Sequence, residues 1–431
     1  MLEQGFLKEL GEKIEQGIAI LRIYNDPEIY ELERKRIFAR AYIFVAHESE
    51  IPQPGDYVVR YVGDESYIVI RGEDGRIRAL FNACRHRGMR LCRSEKGQAK
   101  TFLCPYHGWT YRNTGELIGV PAEKEAYGGR LDKAKWGLYE APHVESYNGL
   151  IFVSLDPRAP SLKEYLGGMT WYLDLLTRRS SAGLEVIGAP QRWVVDVNWK
   201  LPAENFSSDA YHTLMTHRSL VQLGMAPSDP QFAMYGTHIS AGNGHALGIG
   251  FIPEHLPLPP FLGYPEPVIN ALKRNYPSEA QVQVAEKMQF WHGTVFPNLS
   301  LLNAALPIPF LTFRVWRPMG PNRTEIWSWF LVERDAPEDF KRRSYETYVH
   351  TFGTSGVFEQ DDVEIWRGIT AMAGGPTAER FELNFQLGMH FQPDPTWPGP
   401  GTALPLDYAE RNERVWLREW YRYLVSENPW Q

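Results

Sequence analysis

The sequence predicts an α+β protein: a small all-β domain, then a larger α+β domain in which an antiparallel sheet is flanked by helices. Three observations predict it. From Tyr42 to Asp156 the chain reads as short apolar runs of strand length separated by turns. From Pro157 onward strand-like runs alternate with stretches of helical spacing. Before both, Asp26-Pro27-Glu28 is a helix start, with Asp as N-cap, Pro in the first turn and Glu near the positive end. With 431 residues the chain can hold two or three domains. The expected divisions are N-terminal helices over 1–40 packing on the larger domain, the β domain over 41–156, and the larger domain over 157–431.

The elements follow in order. Ile29, Leu32, Ile37 and Phe38 recur at helical spacing up to Ala41. Residues 57–62 and 67–71 read as strands, followed by the turn Gly72-Glu73-Asp74-Gly75, and 150–153 as another. In the larger domain 193–197, 310–315 and 326–332 are strands, the last two joined by Pro318-Met319-Gly320-Pro321-Asn322. Residues 337–353 form a helix, and 407–425 a closing amphipathic one. Between Gly224 and Tyr276 Pro and Gly are dense, which predicts long loops over or near a pocket. Gly242-Asn243-Gly244-His245-Ala246-Leu247-Gly248 lies there. It has the look of a dinucleotide fingerprint, but its final spacing is wrong and it lacks a βαβ context. It is read as a loop, and NADH binding by this chain is not expected.

Composition excludes some classes. Net charge is −7 with no basic stripe, which argues against a nucleic-acid binder. No apolar run approaches the ~20 residues of a spanning helix. The first seventeen or so residues lack a signal-peptide core.

Two short runs carry the first chemistry: Cys84-Arg85-His86-Arg87-Gly88 and Cys104-Pro105-Tyr106-His107-Gly108-Trp109. They read Cys-x-His, seventeen residues, then Cys-x-x-His. Two thiolates and two imidazoles suit a [2Fe–2S] centre with two Cys on one iron and two His on the other, a set that raises the potential above that of an all-Cys cluster. Zinc takes the same ligand types, but each half here carries one Cys and one His, unlike a finger in which the two Cys form one knuckle. Of three Cys, only Cys92 is left over, so no disulfide framework is possible; a cytoplasmic location is expected.

The second chemistry lies in 204–217, Glu204-Asn205-Phe206-Ser207-Ser208-Asp209-Ala210-Tyr211-His212-Thr213-Leu214-Met215-Thr216-His217. Two imidazoles and a distant carboxylate can build the 2-His-1-carboxylate face of a non-haem Fe(II) oxygenase. On an ideal helix His212 and His217 would point about 140° apart. The helix must therefore end, bend or bulge between them.

Both sets resemble one family. Cys-x-His-Arg-Gly with Cys-Pro-Tyr-His-Gly-Trp is similar to the Rieske domain of the ring-hydroxylating oxygenases, and Asp209-x-x-His212-x-x-x-x-His217 to their mononuclear iron motif. The resemblance implies cluster ligands Cys84, His86, Cys104 and His107, and iron ligands His212, His217 and Asp362. Asp361 is the rival to Asp362, and physical chemistry alone does not choose between them. Asp209 would fix the His212 ring and couple it to His107 or His86 of a neighbouring subunit. Asn205 would lie near the iron without binding it. Pocket positions would be Phe206, Ala210, Thr213, His292, Thr294, Phe352 and Phe358. The implied protein is the terminal oxygenase α subunit of an aromatic-ring dioxygenase of the biphenyl, naphthalene and polycyclic hydrocarbon group. It would take electrons from a ferredoxin or reductase, use O2 to make a cis-dihydrodiol, and assemble as α3 or α3β3. The alternatives are an aromatic carboxylate as substrate, which would need a pocket Arg such as Arg218 or Arg314, and a monooxygenase or demethylase outcome.

Overall fold

The computed structural model describes residues 4–224, 229, 231–253, 255–256 and 258–430. They fall into two compact units. One comprises Phe38–Leu162; the other comprises the described residues up to Ile37 and those from Lys163 onward.

The first unit is all β apart from short helical turns. Asp56–Val62 and Glu65–Arg71 pair antiparallel, with Ile77–Phe81 on one side and Lys96–Gln98 on the other. Thr101–Leu103, Thr110–Arg112 and Leu117–Gly119 form a second, three-stranded sheet. His143–Tyr147, Leu150–Ser154 and Ile43–His47 form a third. Ile68, Ile70, Leu80, Tyr111 and Trp109 make a core that also takes in Cys84 and Cys104. The alternation of the strands buries one face and leaves the two Cys/His loops at the ends of the ladders.

The second unit is built on a nine-stranded antiparallel sheet. Its long central strands, Pro309–Gly320 and Arg323–Glu333, pair through most of their length, and Leu299–Ala305, Met288–Val295, His245–Phe251 and Gly236–Gly242 follow outward. The helices Glu338–Phe352, Val357–Met372 and Arg411–Val425 belong to the same unit. The segment Pro27–Glu33 is helical as expected: the Asp26 carboxylate accepts from the Glu28 and Ile29 amides. The helix then widens into a π-turn over Arg34–Phe38.

Two expectations need correction. The Pro/Gly-rich stretch is not mainly loop. Gly236–Gly242 and His245–Phe251 form a hairpin of the central sheet, and Glu266–Asn275 is a helix. Asn243 and Gly244 adopt φ of 50° and 75°, the left-handed pair that a two-residue hairpin turn demands. Of the fingerprint-like glycines, Gly242 and Gly244 serve this turn, and Gly248 lies within the second strand. The closing helix starts at Arg411, so Asp407 lies before it. Residues 225–228, 230, 254 and 257, inside the expected loop region, are outside the described set. Among the described residues no helix is long and apolar enough to cross a membrane.

Candidate metal centres and substrate cavity

The two Cys/His loops share one construction. In the first, the Cys84 amide donates to the Met89 carbonyl and the Gly88 amide to the Cys84 carbonyl. In the second, the Cys104 amide donates to the Trp109 carbonyl and the Gly108 amide to the Cys104 carbonyl. Gly88 and Gly108 turn the chain with φ of 70° and 74°. Both thiols are buried, whereas the imidazoles lie outward, with His107 exposed. The His86 and His107 Nδ1 atoms face each other at 3.1 Å, and Trp109 stacks on the His86 ring. The Tyr111 hydroxyl lies 3.3 Å from Cys84 Sγ and accepts from the Arg85 amide. Two buried thiols and two more exposed imidazoles on paired loops are the donor set that would hold a [2Fe–2S] cluster with two Cys on one iron and two His on the other.

In the other unit, His212, His217 and Asp362 offer three ligand atoms within 4.8 Å of one another. Asp362 Oδ1 lies 3.4 Å from His212 Nε2 and 3.3 Å from His217 Nε2. That oxygen is buried and has no hydrogen bond among the described residues, an arrangement that costs free energy unless a cation completes it. The expected break in the helix is there. Ala210–His212 is a 3-10 turn, Thr213–Thr216 one α turn, and His217 leaves helical geometry with φ −96° and ψ 28° before Arg218–Gln222 resumes.

The neighbouring carboxylates divide the work. Asp209 Oδ2 lies 3.4 Å from His212 Nδ1, and its Oδ1 accepts from the His212 amide. Asp361 Oδ2 lies 3.4 Å from His217 Nδ1. Each imidazole thus has a carboxylate at Nδ1, which leaves Nε2 free for metal. Burial lowers the His212 pKa, but Asp209 and Asp362 outweigh it and hold the ring well above its usual range, so the site attracts positive charge. Asn205 Nδ2 is 3.3 Å from both Asp209 Oδ2 and His212 Nδ1. Glu204, Glu410 and Glu413, which the sequence reading did not single out, line a recess with Asp209 and His212.

A cavity ends on the three ligands. Phe206, Thr213, His292, Phe352 and Phe358 line it, as does Asn205. Phe352 and Phe358 stack with centroids 5.0 Å apart, and Phe358 also meets the His217 ring. Two expected positions do not line it. The Thr294 hydroxyl turns inward to the Ala203 carbonyl and Ser300, because its strand faces the core there. Ala210 is buried in its own 3-10 turn. The sequence reading missed Leu302, Ala304 and Leu306, and also Gln289 and Phe290. All but Leu306, which follows its strand in the bend before Pro309, sit in strands whose alternation does not separate cavity from core. No Lys or Arg lines the cavity among the described residues. Arg314 is fully buried and committed to Glu359 and the Phe352 carbonyl, and Arg218 is exposed outside the cavity.

Comparison with known proteins agrees with this geometry. The family model for the ring hydroxylating alpha subunit (catalytic domain) matches residues 162–383, and that for the Rieske [2Fe-2S] domain matches residues 41–147. The chain is 38% identical to the biphenyl dioxygenase subunit alpha of Metapseudomonas furukawaii, over 96% of this chain and 92% of that one. It is 36% identical to the N,N-dimethyl phenylurea N-demethylase subunit alpha of Sphingobium sp. (strain YBL2), over 99% and 96%. Naphthalene 1,2-dioxygenase from Rhodococcus sp., solved with indole bound, superposes with a TM-score of 0.95 at 53% identity, covering 99% of this chain and all of that one.

Proposed function

We propose, for a chain that belongs to the ring-hydroxylating oxygenase α-subunit family, that it is the terminal oxygenase of an aromatic hydrocarbon dioxygenase. It adds both atoms of O2 to one face of a mono- or polycyclic aromatic ring and yields a cis-dihydrodiol. The observation that carries this reading is an apolar cavity without a cation, closed at one end by two imidazoles and one carboxylate. A carboxylate substrate would find no Lys or Arg to pair with among the described lining residues.

Cys84, His86, Cys104 and His107 hold the [2Fe–2S] cluster, and His212, His217 and Asp362 hold Fe(II). When bound, these groups supply one-electron transfer and O2 reduction. The chain's residues do the rest. Phe206, Phe352 and Phe358 take the flat ring and keep water away from it. Asp209 and Asp361 fix the tautomer and direction of the two ligand imidazoles. Asn205 braces Asp209 and His212.

Asp209 also faces outward. Its side chain is about a third exposed. It and Glu410 share a recess with Ile365, itself half exposed, beside the exposed Met372 and Phe381. That surface suits a neighbouring subunit, whose cluster imidazoles would meet Asp209 in a ring of α subunits, with or without a small β subunit. A ferredoxin or reductase delivers the electrons.

The test is turnover of naphthalene under ¹⁸O₂ by anaerobically purified, iron-replete protein with an electron-donor system. Two labelled atoms per diol are expected. A singly labelled naphthol formed as the primary product, with no diol preceding it, would replace this reading with a monooxygenase.

A further inference from the structure

One cavity-wall residue, His292, is tied to a buried polar cluster that plays no part in holding either metal. His292 Nε2 lies 3.6 Å from Asp407 Oδ2. That is longer than an ordinary hydrogen bond, but neither atom has another partner among the described residues. On its other oxygen Asp407 accepts from the Ser208 hydroxyl and faces His238 Nδ1 at 3.5 Å. Asp407 and His238 are fully buried.

The tautomers follow from the partners. The Asn412 amide donates to His238 Nε2 at 2.9 Å, so that nitrogen is an acceptor. The proton of His238 is then on Nδ1, pointing at Asp407 Oδ1. Oδ1 thus accepts from a hydroxyl and faces an N–H at 3.5 Å, and Oδ2 faces only His292. Two lone pairs facing each other in a buried site would repel, so the His292 proton sits on Nε2. Burial pushes the Asp407 carboxyl up, but the two imidazoles outweigh it and hold it below the usual carboxylate range.

The site is built for this carboxylate. A Cβ at Gly248 would lie 2.1 Å from Ser208 Oγ and 2.6 Å from Asp407 Oδ1, so the strand must be bare there. Ser208 itself holds φ of 116°, a conformation rare for a residue with a Cβ.

With Nε2–H directed at Asp407, the other polar atom of His292 is Nδ1, an acceptor with no protein partner among the described residues. It belongs to a ring that lines the cavity, whose other uncharged polar lining groups besides the ligand imidazoles are Asn205, Thr213 and Gln289. We propose that Asp407 is a positioning residue that holds His292 as an acceptor in the cavity wall, so that, among the aromatic rings the cavity admits, one bearing an N–H or O–H donor binds more tightly than its isostere without one. The inference rests on the aromatic-hydrocarbon reading above and adds a polar criterion to it. A site built to bond a donor rejects the isostere that lacks one more strongly than a purely apolar wall does.

The test is equilibrium binding, by calorimetry on anaerobic, iron-loaded protein, of two near-isosteric pairs: indole with benzofuran, and naphthalene with quinoline. In the wild type indole should bind about tenfold tighter than benzofuran, and quinoline no tighter than naphthalene. In Asp407→Asn the amide oxygen must stay on His238 Nδ1–H, which turns the amide NH₂ toward His292. His292 then carries its proton on Nδ1. The indole preference should vanish and quinoline should bind tighter than naphthalene. A disturbed wall without a tautomer change would not reverse the second pair. In His292→Leu both preferences should fall to within twofold, and this variant decides the matter if Asp407→Asn does not fold. Naphthalene binding with equal indole-to-benzofuran ratios in wild type and His292→Leu overturns the inference alone. Failure of naphthalene to bind the wild type overturns the aromatic-hydrocarbon reading and this inference with it.

Discussion

Asp361 and Asp362 are neighbours in sequence, yet one helical step sends their carboxylates to different atoms. Asp362 Oδ1 reaches both Nε2 atoms, whereas Asp361 Oδ2 stands behind His217 at Nδ1. Asp362→Ala should therefore lose the mononuclear iron and keep the cluster, taking iron to sulfide from about 3:2 to about 2:2. Asp361→Asn should retain the iron with affinity lowered about 10–100-fold. Metal analysis after dialysis against graded chelator separates the two. Glu204 gives a second prediction. Burial pushes its carboxyl up to about 8, against the pull of Tyr24 and Lys200. Between the ordinary carboxylate range and that value the folded chain holds a proton that the unfolded chain has released. Stability is therefore greatest at the acid end and falls as pH rises toward 8, at up to about 1.4 kcal/mol per pH unit. Glu204→Gln removes this loss. Its denaturation midpoint, relative to wild type, should rise steadily from pH 5.5 to 8; a constant difference would show that Glu204 folds ionised.

The helix Val357–Met372 carries Asp362 in its second turn, and its start is set by Gly356. A Cβ at Gly356 would stand 2.2 Å from the Thr351 carbonyl oxygen, a backbone atom that cannot swing aside. Gly356→Ala must therefore displace the first turn and, with it, Asp362. Gly368, on the same helix, has nothing within 4 Å of its Cβ position. Iron retention should fall several-fold in Gly356→Ala and stay unchanged in Gly368→Ala, with equal cluster absorbance in both; equal retention would show that the helix start does not set the ligand. Elements of this kind were legible where local chemistry speaks plainly. The Asp26 cap, the break between His212 and His217, and the long strands of the central sheet all announce themselves through spacing. The hairpin at Asn243 and Gly244 did not, because its strands are glycine-rich and a Pro/Gly-dense stretch reads as loop. The cavity walls at Leu302, Ala304 and Phe290 were equally silent, since a residue facing a cavity and one facing the core share the same alternation.

At the scale of the molecule, the two donor sets belong to different compact units, Cys84, His86, Cys104 and His107 to one and His212, His217 and Asp362 to the other. The motifs disclosed this division, because each set has two or more ligands within a few residues. The third iron ligand lies far along the chain and was reached only through resemblance. Glu204, Glu410 and Glu413, which share a recess with Asp209 and Asp362, come together with them only through folding. Separate units and dissimilar donors have a measurable consequence. The two thiols that would hold the cluster lie within a core, whereas two imidazoles and one carboxylate sit at the end of an open cavity. A ferrous chelator applied anaerobically should remove about one iron in three, release no sulfide and leave the Rieske EPR signal unchanged. Oxygenation should cease in proportion to that iron and return on adding Fe(II), while Zn(II), which has no redox chemistry, should fill the site without restoring turnover. Sulfide leaving in step with the iron would mean that the two centres do not hold their metals independently.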